Sequence, residues 1–108
     1  MLILFDHGTP RGIARSLQNH TVKEAKAKRW DTLSSGELLR AAEEAGSEVL
    51  VTTDQNLPYQ QNLTGRKIAV VVLGKARWRL TRPLVPQVVA TILAAKPGTV
   101  TVAEITRR

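Results

Sequence analysis

The sequence predicts a single α/β domain spanning residues 1–108, with a mostly parallel five-stranded sheet and helices on both of its faces. Two observations carry this expectation. Short aliphatic and β-branched runs alternate with segments of helical spacing along the whole chain, the pattern of successive β-α-β units. Two of those runs, Leu2–Phe5 and Val49–Thr53, are each followed directly by an acid, Asp6 and Asp54. In a parallel sheet all carboxyl ends share one edge, which is where such folds place their functional crevice. The length of 108 residues fits one domain, and 43% hydrophobic residues with only 4% aromatics require an aliphatic core.

Each element has its own signal. Leu2–Phe5 is a continuous apolar run, as expected of a strand covered on both faces. Thr9 followed by Pro10 reads as an N-cap and first helical position, and Ile13 and Leu17 lie four apart, so a helix is expected over about residues 10–18. His20 to Glu24 reads as a short strand, and the basic, Ala-rich Lys23–Arg29 stretch as a loop or frayed helix. Ser34 and Glu37 form the S-x-x-E capping box ahead of Leu38, Leu39, Ala42 and Ala45, and Gly46 closes that helix. Val49–Thr53 and Ile68–Leu73 are the β-branched strands, with a short helix expected over 57–63 between them. Arg82-Pro83 opens a helix to about Ala95 that tolerates Pro86 in its first turn. Pro97-Gly98 is a turn, and Thr99–Ile105 alternates like an edge strand. The crossovers of such a fold are expected to be right-handed.

Charge narrows the function. The chain has 16 Lys+Arg against 9 Asp+Glu, a formal net charge of +7. Residues 1–65 hold seven cations and eight acids, whereas residues 66–108 hold nine cations and one acid, Glu104. A polyanion is the expected partner, nucleic acid before a membrane surface, since no run approaches the length of a spanning helix. Cysteine is absent, which excludes disulfides, thiolate metal sites and cysteine nucleophiles. The opening lacks the basic start and long apolar run of a signal peptide, so a cytoplasmic chain is expected and the N-x-T triplets at Asn19 and Asn62 read as accidental.

The chemistry-bearing residues follow from the strand ends. If the strands before Asp6 and Asp54 are neighbours, the two carboxylates stand within reach of one cation, and Mg²⁺ or Mn²⁺ would relieve their repulsion. Glu37 fits two roles, capping partner of Ser34 or a third carboxylate over the same edge; Asp31 is the substitute for the second role. Asn56 offers a neutral oxygen or a turn, and His7 a supporting contact. Walker, GxGxxG, HExxH and serine-nucleophile patterns are missing, so hydrolysis here has to use metal and water. After the strongest strand, Lys75, Arg77, Trp78, Arg79 and Arg82 combine four cations with an indole able to stack on an unpaired base, which points to single-stranded RNA. Trp30 beside Lys28 and Arg29 repeats that pairing.

Three blocks, Leu4-Phe5-Asp6-His7-Gly8-Thr9-Pro10-Arg11, Leu33-Ser34-Ser35-Gly36-Glu37-Leu38-Leu39 and Val51-Thr52-Thr53-Asp54-Gln55-Asn56-Leu57, resemble the PIN-like proteins, small relatives of PIN-domain nucleases. The resemblance runs in order over about residues 1–75. It implies a three-layer, Rossmann-like α/β/α sandwich and, for active members, Mg²⁺- or Mn²⁺-dependent cleavage of RNA. It also implies the toxin role in a type II toxin–antitoxin pair, with a cognate antitoxin encoded nearby that blocks the acidic pocket, and often a homodimer. Carried over, Asp6, Glu37 and Asp54 are the first, helical and third acids that bind metal and catalyse. Many relatives have a further Asp where this chain has Asn56, which implies one well-held metal and poor binding of a second. Two other classes remain open. One is a PIN-like binding module with weak or no catalysis. The other is a receiver-like signalling domain phosphorylated on Asp54, since Asp54-Gln55-Asn56-Leu57-Pro58 is similar to a phosphoacceptor turn.

Overall fold

The computed structural model describes residues 1–30, 32–55, 57, 62–73 and 82–103. Five strands form one sheet: β1 (Leu2–Phe5), β2 (Thr21–Glu24), β3 (Val49–Thr52), β4 (Ala69–Leu73) and β5 (Val100–Ala103). Their order across the sheet is β2-β1-β3-β4-β5, and every neighbouring pair is parallel. The expected "mostly parallel" sheet is therefore wholly parallel. The chain leaves β1 in one direction to make β2, then returns past β1 to build β3, β4 and β5 on the other side. The order reverses between β1 and β3.

The strands are apolar on both faces because both faces are covered. Ile3, Phe5, Val49, Val51, Ala69, Val71 and Leu73 pack on one side with Ile13, Leu17, Val85, Val88 and Ile92. Leu4, Leu50, Val70 and Val72 pack on the other with Leu38, Leu39, Ala42, Leu57 and Leu63. Two α-helices supply much of this cover, α1 (Ser35–Glu44) and α2 (Val85–Ala94).

α1 forms as its sequence dictates. The Ser34 side chain accepts from the Glu37 backbone N–H, the Glu37 carboxylate reaches back to Ser34, and Gly46 closes the helix at φ +83, a conformation that side chains disfavour. α2 carries Pro86 in its first turn, after a 3-10 turn at Arg82–Leu84.

Three expectations are corrected. Residues Arg11–Leu17 form a 3-10 segment, not an α-helix, and its N-cap is Pro10 without a side-chain bond. Thr9 fails to cap because its hydroxyl donates to the Val51 carbonyl at 3.0 Å, which ties it to the sheet. Lys23–Arg29 is neither loop nor frayed helix throughout: β2 runs to Glu24, Ala25 is fully buried, and Lys26–Lys28 make a 3-10 turn. Finally, the 3-10 segment Arg11–Leu17 and α2 pack on the same face, although their connections run in opposite directions along the sheet. The two crossovers therefore have opposite hands, against the expectation of one hand throughout. The 3-10 segment buries only Ile13 and Leu17, and α2 completes that layer. The helix expected over 57–63 lies mostly outside the described residues. No described helix is long and apolar enough to cross a membrane.

Candidate active site at the carboxyl edge

The parallel sheet brings Asp6 and Asp54 to the same edge, on the adjacent strands β1 and β3. Phe5 pairs with Val51, and the Asp6 backbone N–H continues the ladder by donating to the Val51 carbonyl at 2.8 Å. Asp6 is then fixed in rotation. Its Oδ2 accepts from the Thr52 hydroxyl at 2.7 Å and its Oδ1 from the His7 backbone N–H at 2.7 Å. The same Thr52 hydroxyl accepts from the Asp54 backbone N–H at 3.1 Å. One fully buried side chain thus ties both acidic segments together across the sheet. Its position was not anticipated from sequence. A threonine ending a β-branched run looks like strand composition, and only the register turns its hydroxyl onto Asp6.

The turn after β1 is shaped to stay close to β3. Gly8 has φ +88, and a Cβ there would stand 3.2 Å from Thr53 Oγ1. Glycine allows both the left-handed backbone and the close approach. His7, exposed on this turn, contributes its backbone to Asp6.

Glu37 lies at the N-terminal end of α1 and is engaged by its own helix. Its Oε1 accepts from the Ser34 hydroxyl at 2.8 Å and the Ser34 N–H at 3.3 Å. These bonds hold its carboxyl below the ordinary range, the Ser34 hydroxyl first and the backbone N–H second. Both roles expected of Glu37 begin from this exposed, capped state. Among the described residues, no three acid or histidine side chains already converge on one point.

On the far side of Asp6, towards β2, lies a cavity of about 180 Å³ lined by Phe5, Asp6, His7, Gly8, Thr9, Arg11, Glu24 and Lys26. Glu24 ends β2 in register with Phe5, and Arg11 Nε meets Glu24 Oε1 at 2.8 Å. Sequence reasoning passed over Arg11, Glu24 and Lys26, which are brought together only by the β1–β2 pairing.

The basic segment is described only at its end. Arg82 is exposed in its 3-10 turn, whereas Asn56, Asp31, Lys75, Arg77, Trp78 and Arg79 lie outside the described residues. Trp30 is partly buried against the core, and Lys28 Nζ sits 5.0 Å from its ring centroid. Comparison with protein-family models, characterised proteins and solved structures finds no match.

Proposed function

We propose that this chain is a metal-dependent endoribonuclease with a three-layer, PIN-like α/β/α fold, acting in the cytoplasm as the toxin of a type II toxin–antitoxin pair. The observation that carries the reading is the pair of acids at the point where strand order reverses, with Thr52 bonded to Asp6 and to the Asp54 backbone. Ligand crevices of parallel α/β sheets open at that point.

The donors fit a hard dication. Both acids offer oxygen only, each Asp6 oxygen accepts one hydrogen bond among the described residues, and the Glu37 cap engages Oε1. Asp6, Asp54 and Glu37 would hold Mg²⁺ or Mn²⁺. When bound, that ion supplies an acidified water and offsets charge on the scissile phosphate. The chain's own residues do the rest. Thr52 and the His7 N–H set the Asp6 carboxylate in one orientation, Gly8 keeps the turn close, and Asn56 would orient a water or a ligand carboxylate without adding charge. Lys75, Arg77, Arg79 and Arg82 would neutralise phosphates while Trp78 stacks on a base. An antitoxin, and a second copy of the chain, are the protein partners this reading carries.

The test is cleavage of a single-stranded RNA panel with Mn²⁺, with EDTA, and by Asp6→Ala. Cleavage that needs both the metal and Asp6 is the expected result. Intact RNA with retained RNA binding would leave the non-catalytic binding module. Growth arrest on expression, reversed by the adjacent reading frame, tests the toxin role. A second reading, a receiver phosphorylated on Asp54, is favoured by the placement of Asp54 just past β3 at the same switch point. Stable acetyl-phosphate labelling of Asp54 would decide for it.

A further inference from the structure

The cavity between the ends of β1 and β2 is not used by the acids alone. It has Asp6 on one wall, and Arg11, Glu24 and Lys26 on the others. Neither Arg11 nor Lys26 belongs to the basic segment after β4. β4, which precedes that segment in sequence, ends on the other side of Asp6, since β4 and β2 are separated by β3 and β1. Three strand spacings of about 4.8 Å put roughly 14 Å between the ends of β4 and β2. A polyanion crossing the edge from the β4 end would pass Asp54, then Asp6, then reach this cavity.

The Arg11–Glu24 pair makes the cavity easy to load. Arg11 is 76% exposed and Glu24 38%. An ion pair this open is worth little, so exchanging the Glu24 carboxylate for another oxyanion costs little. A phosphate offers the guanidinium a two-bond contact of the kind that arginine makes best, with Lys26 as a point charge beside it. The left-handed Gly8 leaves the turn without a side chain on that wall.

We propose that this cavity is a phosphate-docking subsite, in which Arg11 and Lys26 receive a phosphate group of a single-stranded nucleic acid beside Asp6. The inference rests on the nuclease reading for the identity of the strand, and its test is separable from it. The phosphate is either an internal diester or a 5′-terminal monoester; the chemistry of the contact is the same. Glu24 is the competing anion that keeps Arg11 parked when the subsite is empty.

The probe is a fluorescent, uncleavable 2′-O-methyl hexanucleotide with a 5′-hydroxyl or a 5′-phosphate, titrated by anisotropy in Mn²⁺ across a salt series. Arg11→Gln and Lys26→Gln should each weaken binding roughly tenfold, as loss of a hydrogen bond from a charged group does. The double variant should flatten the log–log salt slope by about 0.7, the loss of one single-strand phosphate contact. Glu24→Gln should act in the opposite direction, tightening binding roughly threefold, because it releases Arg11 and removes a repelling charge. A merely structural Arg11–Glu24 pair would weaken binding in both variants, and that result overturns the proposal. An unchanged salt slope in the double variant, or no binding by the wild type, also overturns it. So does equal loss of poly-glutamate binding, which would assign the cavity to an acidic peptide. Lys26→Gln, an exposed position in a turn, keeps the test open if an Arg11 variant fails to fold. Effects confined to the 5′-phosphate probe identify a terminal monoester, and effects on both probes an internal diester. Binding losses without any RNA cleavage by the wild type sustain the subsite and remove the nuclease; cleavage with unaltered binding in the variants does the reverse.

Discussion

Asp6 and Glu37 are both acids proposed for one site, yet they are held in opposite ways. Asp6 is partly buried and takes its Thr52 bond from a residue 46 positions away. Glu37 is exposed and takes its bonds from Ser34, three residues back. The first arrangement exists only when the sheet is assembled, whereas the second exists whenever α1 is helical. A carboxylate fixed by tertiary contacts is pre-oriented for a ligand. A carboxylate fixed by its own cap has to give up local bonds before it serves another partner.

The largest expected effect probes the tertiary side of this contrast. Asp6→Asn and Asp54→Asn should each reduce Mn²⁺-dependent RNA cleavage to background while circular dichroism shows a folded chain. Normal turnover in either variant would break the assignment of that acid.

Thr52 sharpens the contrast, because it is the joint. Thr52→Val keeps the shape but leaves Asp6 Oδ2 and the Asp54 N–H without the partner they have now. Losing a buried partner costs about 1–3 kcal/mol, read from urea unfolding. Cleavage should fall by roughly 10–100-fold, as when an outer partner of a metal ligand is lost. Thr52→Ser, which keeps the hydroxyl, should recover most of both.

The local side is weaker. Ser34→Ala removes the N-cap and should cost about 1 kcal/mol, with no loss of Mn²⁺ affinity measured by calorimetry, since the Ser34 bonds hold Glu37 to its own helix.

The smallest effect is a pH dependence. The Glu37 carboxyl is depressed in the folded chain by its bonds to Ser34. Its ionised form therefore stabilises the fold above the unfolded-state value, and that contribution is lost as pH falls through the folded one. Glu37→Ala should melt slightly below the wild type near neutrality, with the gap closing on acidification through the carboxyl range. Glu37→Gln separates the two roles. A cap tolerates it, so the melt stays close to wild type. If Glu37 also leaves its cap to bind metal, Mn²⁺ affinity drops without a matching loss of stability.

The same division explains what could be read without coordinates. The capping box, the apolar strands and the placement of both aspartates at strand ends are short-range signals, and they are found where expected. Thr9 was misread because its side chain is turned onto the sheet, where its hydroxyl donates across 42 residues to the Val51 carbonyl, and the N-cap position falls on Pro10. Arg11, Glu24 and Lys26 carry no shared pattern along the chain; β1–β2 pairing gathers them. The opposite hands of the two crossovers were missed for a related reason: which face a helix covers is settled by packing across the sheet, where Ile13 and Leu17 meet Val85, Val88 and Ile92.

β1 lies between β2 and β3, so one flank of the first strand stays open until Val49–Thr52 has been made. Parallel pairing over such sequence distances is slow, and its loop must close before any contact rewards it. A nascent chain halted before β3 has Asp6 but not the hydroxyl that orients it. Such a fragment exposes an apolar β1 edge ready to recruit stray strands. The joint at Thr52 therefore times the assembly of this edge during synthesis: Asp6 and Asp54 come together only after the middle of the chain has emerged from the ribosome, and a chain stopped before β3 leaves an apolar strand unpaired.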